Sequence, residues 1–136
     1  MNRMDLKRAS YLFEGIKGQM LPENLIDTIR SFIAAENLYS SAVREIATKL
    51  ENLNSEFNST HERNPIHLIQ TRVKTPASIV EKLKRRGFEL SVDSARQNLT
   101  DIAGVRVICS YINDIYMISG FLLSQADIQL MRTTDY

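Results

Sequence analysis

One uninterrupted apolar repeat limits what the N-terminal part of this 136-residue chain can fold into. From Pro22 to about Asn58, apolar side chains recur every three or four residues, with no internal glycine or proline. This spacing predicts one long helix with an apolar stripe. Two interpretations of the stripe stay open, because so long a helix seldom buries all of it within a small domain. It packs on the chain's own sheet, or it is an oligomerisation helix.

Two weaker features frame this helix. Residues 1–20 could form a short helix that ends near Gly18. Residues 58–65 form a polar connector that is the best internal boundary. We therefore predict a helical N-terminal arm over residues 1–63 and a second region over residues 64–136.

The second region mixes strand and helix patterns, which predicts an α+β fold. Its predicted elements are a short strand or extended lead-in at 66–74, a basic helix that ends at Gly87, a weak helix at 90–98, a central strand at 103–109, a helix from Asn113 or Asp114, and a further strand at 127–131. The last three elements suggest one βαβ unit with a right-handed crossover. Two or three strands would leave an open sheet edge, and we predict that a partner chain or a further C-terminal segment covers it.

The basic helix has clear start and stop signals. Thr75 can cap its first turn, Pro76 suits the first helical position, and Gly87 is a typical end. Residues 72–86 hold six basic residues and one acid, a local charge of about +5 in a chain of net charge +1. Such concentrated charge is typical of an anion-binding patch. A solvated helix face and RNA-backbone binding are the alternatives.

Side-chain direction groups the polar residues of this segment. Residues three or four apart share one face of a helix, and residues two apart point the same way in an extended segment. The two groups are Ser78, Lys82 and Arg85 or Arg86 on the helix, and Arg72 with Lys74 just upstream.

One carboxylate stands next to the predicted central strand. Asp101 precedes the strand, and Arg106 within it alternates with Val105 and Val107. A carboxylate beside a triphosphate suits Mg²⁺, which takes one or two carboxylates together with substrate phosphates. On spacing alone it is at least as plausible that Asp101 caps a turn and pairs with Arg106.

Five ordered sequence blocks closely resemble the RelA/SpoT alarmone synthetases, and most nearly the small single-domain members of that family. The blocks are Asn64-Pro65-Ile66-His67, Arg72 to Lys82, Asp101 to Ile108, Asp114-Ile115-Tyr116 and Asp135-Tyr136. They cover residues 64–136 in order, and five blocks in order are far more specific than any one of them.

The resemblance implies transfer of pyrophosphate from ATP to the 3′-hydroxyl of GTP or GDP, with Mg²⁺. It implies that residues 64–136 form the first part of a nucleotidyltransferase-like mixed sheet with flanking helices. It also implies residue roles, which are adenine stacking for Arg72 and Arg106, ATP-phosphate binding for Lys74, Ser78, Lys82 and Arg85, and Mg²⁺ binding for Asp101. Stacking and phosphate binding suit the guanidinium and ammonium groups.

The chain also departs from the family pattern. It stops before the family's acceptor-binding loop and before its catalytic Glu, so no catalytic residue is assigned and we expect weak or absent transfer by this chain alone. Thr134 stands where many relatives have Lys, which puts a phosphate contact there in doubt. The competing functions are an RNA- or nucleotide-binding regulatory module, and an oligomerisation fragment with a vestigial ATP site.

Composition limits the cellular compartments in which this chain is expected to work. No apolar run approaches the length of a membrane span, and the N-terminus lacks the apolar core of a signal peptide. The single cysteine, Cys109, excludes an internal disulfide framework and is expected to be a small buried residue. We therefore expect a cytoplasmic protein with no membrane partner. The family resemblance also favours a homo-oligomer.

Overall fold

A computed structural model describes residues 25–135. The short helix expected within residues 1–20 lies outside this range. The described elements are α1 (Leu25–His61), β1 (Ile66–Val73), α2 (Pro76–Arg86), α3 (Val92–Asn98), β2 (Ala103–Cys109) and α4 (Ile112–Leu123). This mixture confirms the α+β class. None of the described helices has a stretch that is both long and apolar enough to cross a membrane.

Helix α1 confirms the long helix predicted from the apolar repeat, and it ends three residues later than expected. In its last turn the ring of His61 stacks on that of Phe57, with centroids 4.1 Å apart. Glu62 then adopts a left-handed conformation with φ of 54°, which stops the helical hydrogen-bond pattern. Pro65 follows and cannot continue a helix.

The chain divides into two compact units that are discontinuous in sequence. The described part of the first unit comprises residues 25–45 and 71–104, and that of the second comprises residues 46–70 and 105–135. Each unit has its own buried cluster of apolar residues. The sequence boundary predicted at residue 63 stays a prediction.

The core of the first unit brings α1, α2 and α3 together. Its buried members are Phe32, Ile79, Val80, Leu83, Ala95, Leu99 and Ile102. Three of them, Ile79, Val80 and Leu83, form the buried apolar face of the basic helix α2. Burying that face turns the opposite, basic side of α2 towards solvent.

The core of the second unit packs α1 against the sheet and α4. Leu50, Ile66 and Ile118 are its buried members. The alternate side chains of β2 that face it include Val107 and the half-buried Cys109, where burial raises the pKa of the thiol. Much of the α1 stripe therefore packs within the chain, with buried residues in both units, and assembly with other copies stays a prediction.

The two strands pair in antiparallel fashion. The N–H of Lys74 donates to the carbonyl of Ile102 at 2.7 Å, and the N–H of Ser110 donates to that of Pro65 at 3.0 Å. The start of one strand thus lies beside the end of the other. In residues 25–135 the sheet has only these two strands, so the prediction that β2 is a central strand is wrong.

The predicted strand at 127–131 is also wrong, because these residues form a turn and irregular chain. The βαβ crossover that depended on this strand is therefore absent from the described residues. A segment that alternates apolar and polar residues becomes a strand only when a neighbouring strand takes up its backbone hydrogen bonds. Within residues 25–135 no strand pairs with this segment.

Candidate functional site

The two ends of α2 set the direction of its basic residues. At the N-terminus the side-chain oxygen of Thr75 accepts a hydrogen bond from the Ser78 N–H at 3.2 Å. At the C-terminus Gly87 takes a left-handed φ of 73°, and its N–H donates to the carbonyl of Lys84 at 3.1 Å. Both ends lie where the sequence predicts them, so the helix register, and with it the direction of Lys82, follows from local signals.

A three-residue charge cluster lies beside this helix in the first unit. The ammonium groups of Lys74 and Lys82 both donate to Oδ2 of Asp101, at 3.0 and 2.8 Å. Antiparallel pairing causes this meeting, because Lys74 directly follows β1 and Asp101 closely precedes β2. The partners of Asp101 are thus two lysines, and the pairing with Arg106, which the sequence left open as an alternative, does not form within residues 25–135.

Burial differs within the cluster. The side chains of Lys74 and Lys82 are only 11% and 14% exposed, whereas that of Asp101 is 46% exposed. The aliphatic stems of the lysines are therefore covered while their ammonium groups reach the surface. The hydrogen bonds from Lys82 and then Lys74 hold the pKa of the Asp101 carboxyl well below its ordinary value. Asp101 is accordingly ionised throughout the physiological pH range.

The other predicted ligands of the first unit are solvent-facing. Ser78 is exposed, and its hydroxyl oxygen accepts from the Thr75 hydroxyl at 2.9 Å. Arg72 on β1 and Arg85 on α2 are exposed. Within residues 25–135 neither guanidinium forms an ion pair, so both are available to an anion.

Arg106 belongs to the second unit. It is exposed on β2, between the half-buried Val105 and Val107. The expectation that its side chain points away from these apolar neighbours is confirmed. Because the guanidinium stays in water, its position in the strand carries no burial cost.

The side chains of the charge cluster suit a metal ion that is also coordinated by a bound substrate. In the described part of the chain no group of three or more His, Cys, Asp or Glu could hold a metal ion. Asp101 offers one carboxylate, flanked by two ammonium groups. Mg²⁺ typically completes such a site with substrate phosphates and waters. The residues therefore fit a cation that arrives on a polyphosphate.

A cavity of about 440 Å³ lies elsewhere in the first unit, between α1 and α3. Tyr39 and Arg96 are among its lining residues, and none of the predicted ligands is. The charge cluster instead lies on open surface. A highly charged polyphosphate is bound mainly through contacts with cationic groups, and an enclosed cavity is less important for it. We therefore place the candidate site at the charge cluster.

Sequence reasoning missed one buried ion pair in the second unit. Arg63 donates two hydrogen bonds of 2.9 Å to the carboxylate of Asp114, whose side chain is only 4% exposed. The Arg63 guanidinium also lies 5.0 Å from the Phe57 ring centroid and 5.1 Å from that of Tyr111. The partners are 51 residues apart, so no local spacing signals the pair.

Comparison with known proteins gives concordant matches in sequence and structure. Residues 71–136 match the region found in RelA / SpoT proteins. The GTP pyrophosphokinase YwaC of Bacillus subtilis is 38% identical over 99 residues, which is 73% of this chain and 47% of that protein. The chain spans about half the length of the curated relatives it matches, 47% and 45% in two cases.

Two solved structures of one relative, small alarmone synthetase 1 from Bacillus subtilis, resemble the fold. The structure bound to AMPCPP has a TM-score of 0.58 and 31% identity, and covers 72% of this chain and 51% of that chain. The structure bound to its product pppGpp has a TM-score of 0.54 at 31% identity, with coverage of 65% and 44%. The structural similarity therefore extends over about two thirds of this chain, 65% and 72% in the two cases.

Proposed function

Since the chain belongs to the RelA/SpoT family, we propose that it binds ATP as the pyrophosphate donor in (p)ppGpp synthesis. The observation that carries this proposal is the charge cluster of Lys74, Lys82 and Asp101 inside the matched region. It combines cations for phosphate with a carboxylate for a metal ion on one open surface.

The proposed roles follow the chemistry of each side chain. Lys74, Lys82, Arg85 and the hydroxyl of Ser78 bind the ATP phosphates through charge-assisted and neutral hydrogen bonds. The planar guanidinium groups of Arg72 and Arg106 stack on the adenine, an interaction to which Arg is well suited. Both arginines are exposed, so stacking requires no rearrangement of a core.

Asp101 is the proposed ligand for Mg²⁺, which supplies neutralisation of phosphate charge when it is bound. The chain's own residues position the ATP phosphates. Positioning of the reacting groups is a large part of how proteins catalyse phosphoryl-group transfer. The proposed acceptor is the 3′-hydroxyl of GTP or GDP. The names of the relatives, and the pppGpp and AMPCPP bound to one of them, support this choice.

We further propose that the protein works in the cytoplasm and as a homo-oligomer. Exposed apolar side chains at the start of α4 support assembly, since large apolar patches commonly mark interaction sites. They are Tyr111, Ile112, Ile115 and Tyr116.

ATP binding tests the donor site directly. In calorimetric titrations with Mg²⁺ and ATP, we expect Arg72→Ala and Lys82→Ala to weaken binding about tenfold or more each, as expected for lost contacts to a charged ligand. Arg86→Ala is the matched control. It removes an exposed charge from the last turn of the same helix, outside the proposed ligands, and should change the affinity little.

Unchanged affinity in both variants would contradict the site. Binding that falls steeply with salt, with no preference for ATP over other polyanions, would instead favour the RNA-binding alternative. Incubation with Mg²⁺, GTP and phosphate-labelled ATP then tests the transfer itself through the appearance of labelled alarmone.

A further inference from the structure

The two lysines proposed to bind ATP phosphates are already engaged in this structure. Both donate to the same oxygen, Oδ2 of Asp101, at 3.0 and 2.8 Å. The positive charge available to an incoming polyphosphate is therefore partly cancelled. To reach a phosphate, each lysine must give up a charge-assisted hydrogen bond.

We propose that Asp101 makes the site selective for the metal-bound form of the nucleoside triphosphate. In the free chain Asp101 holds Lys74 and Lys82. When a metal–nucleotide complex binds, Asp101 exchanges the two ammonium groups for the divalent cation, and both lysines turn to the phosphates. This inference rests on the proposed ATP-binding function and concerns how the same site chooses its ligand.

Charge balance is the physical reason for the selectivity. Two ammonium groups and one divalent cation carry the same total charge, so Asp101 would keep a cationic partner through the exchange. Metal-free ATP would draw the lysines away and leave Asp101 beside the phosphates with no cation, where like charges repel. A cation alone would displace both ammonium groups from Asp101 and offer them no phosphate in exchange. Metal and nucleotide should therefore promote each other's binding.

Asp101→Asn separates this inference from the ordinary loss of a metal ligand. The substitution should release both lysines and tighten the binding of ATP in excess EDTA about fivefold or more, within the usual range of coupling between ligands. It should also weaken the binding of Mg²⁺-loaded ATP. Asp93→Asn, which removes another exposed carboxylate of the first unit, should leave both affinities nearly unchanged.

A Lys82→Met background distinguishes lysine release from simple repulsion. If release is the cause, Asp101→Asn should tighten metal-free ATP less in this background than in the wild type, because only Lys74 remains to be released. If repulsion alone acts, the gain should be larger, because Asp101 is then less neutralised. Titrations of the full chain at constant ionic strength, with circular dichroism to verify folding, measure both gains.

The outcomes are separable. Tighter metal-free binding by Asp101→Asn, reduced in the Lys82→Met background, supports the inference. Absence of the gain, or a larger gain in that background, would overturn it while leaving ATP binding intact. Failure of the wild-type chain to bind Mg²⁺-loaded ATP would overturn both the inference and the proposed function.

Discussion

At the scale of single residues, the carboxylate of Asp114 is stabilised in its buried position by one basic partner. Its buried carboxylate accepts two hydrogen bonds from Arg63, and that pairing holds the pKa of the carboxyl below its ordinary value. A buried charge with a partner is tolerated, whereas the same charge without one is strongly destabilising. The pair also ties the segment after α1 to the first turn of α4.

We expect Asp114→Asn to lower the melting temperature by several degrees at neutral pH, since it leaves the Arg63 guanidinium without its anion. The pH dependence follows from the sign of the shift. The pKa of Asp114 is lower in the folded chain than its ordinary 3.8, so its contribution is complete above about pH 4 and is lost as the pH falls below it.

Thermal melts from pH 7 to pH 2 check this expectation. The wild-type and Asp114→Asn curves should converge at low pH, where the wild-type carboxyl is protonated as well. Asp135→Asn is a control that removes an exposed carboxylate and should leave the melting temperature nearly unchanged. A constant difference between the curves at every pH would contradict the role assigned to the ionised carboxylate.

At the scale of elements, α2 shows that local signals can define a helix that carries a site. A polar cap at Thr75 and a left-handed glycine at Gly87 bound it, and its apolar face packs into the first core. Its position then decides where Lys82 and Arg85 lie. The effect of a helix-end substitution on the free energy of unfolding should therefore be measurable separately from its effect on ligand binding.

Gly87→Ala should destabilise the chain by about 1–2 kcal/mol, the cost of a left-handed conformation in a residue with a side chain. An added Cβ at Gly87 would meet no atom within 4 Å, so the cost comes from the backbone alone. Gly104→Ala is the matched control, because it also has no neighbour within 4 Å and lacks a positive φ. Urea unfolding measures both variants, and equal effects would refute the strain argument.

At the scale of the whole molecule, one helix supplies two cores. α1 contributes Phe32 to the first unit and Leu50 to the second. This use of the apolar stripe leaves the exposed residues of α4 as the better candidates for assembly. Ile112, Ile115 and Tyr116 lie three and four residues apart, hence on one helix face, and Ile112 is 72% exposed.

If this face joins copies of the chain, the mass measured by light scattering should rise with protein concentration. Ile112→Asp should shift that rise to higher concentration, because burying a charge in an apolar contact is unfavourable. Leu38→Asp, which changes an exposed apolar residue of α1, serves as the control. A mass that stays monomeric at all concentrations would contradict the assembly proposal.

Much of this description could be predicted from the sequence, because the signals involved are local. The three- and four-residue apolar spacing predicts α1, and the Thr75 and Gly87 caps predict α2. The β-branched run from Ala103 predicts β2. Each depends on residues that are neighbours along the chain, whose preferences act before tertiary contacts form. The assignment of site residues came instead from resemblance to a family.

The sequence by itself determined the helices α1 and α2 and the strand β2, the apolar faces of those helices, and the concentration of positive charge between residues 72 and 86. Only the tertiary structure decided that the strands run antiparallel, that residues 127–131 form no strand, and that Asp101 and Asp114 have their particular basic partners. The physical reason is sequence separation. A helix cap or an apolar stripe is made by residues a few positions apart, whereas a strand pair or a buried ion pair depends on which distant segments the packed cores bring together.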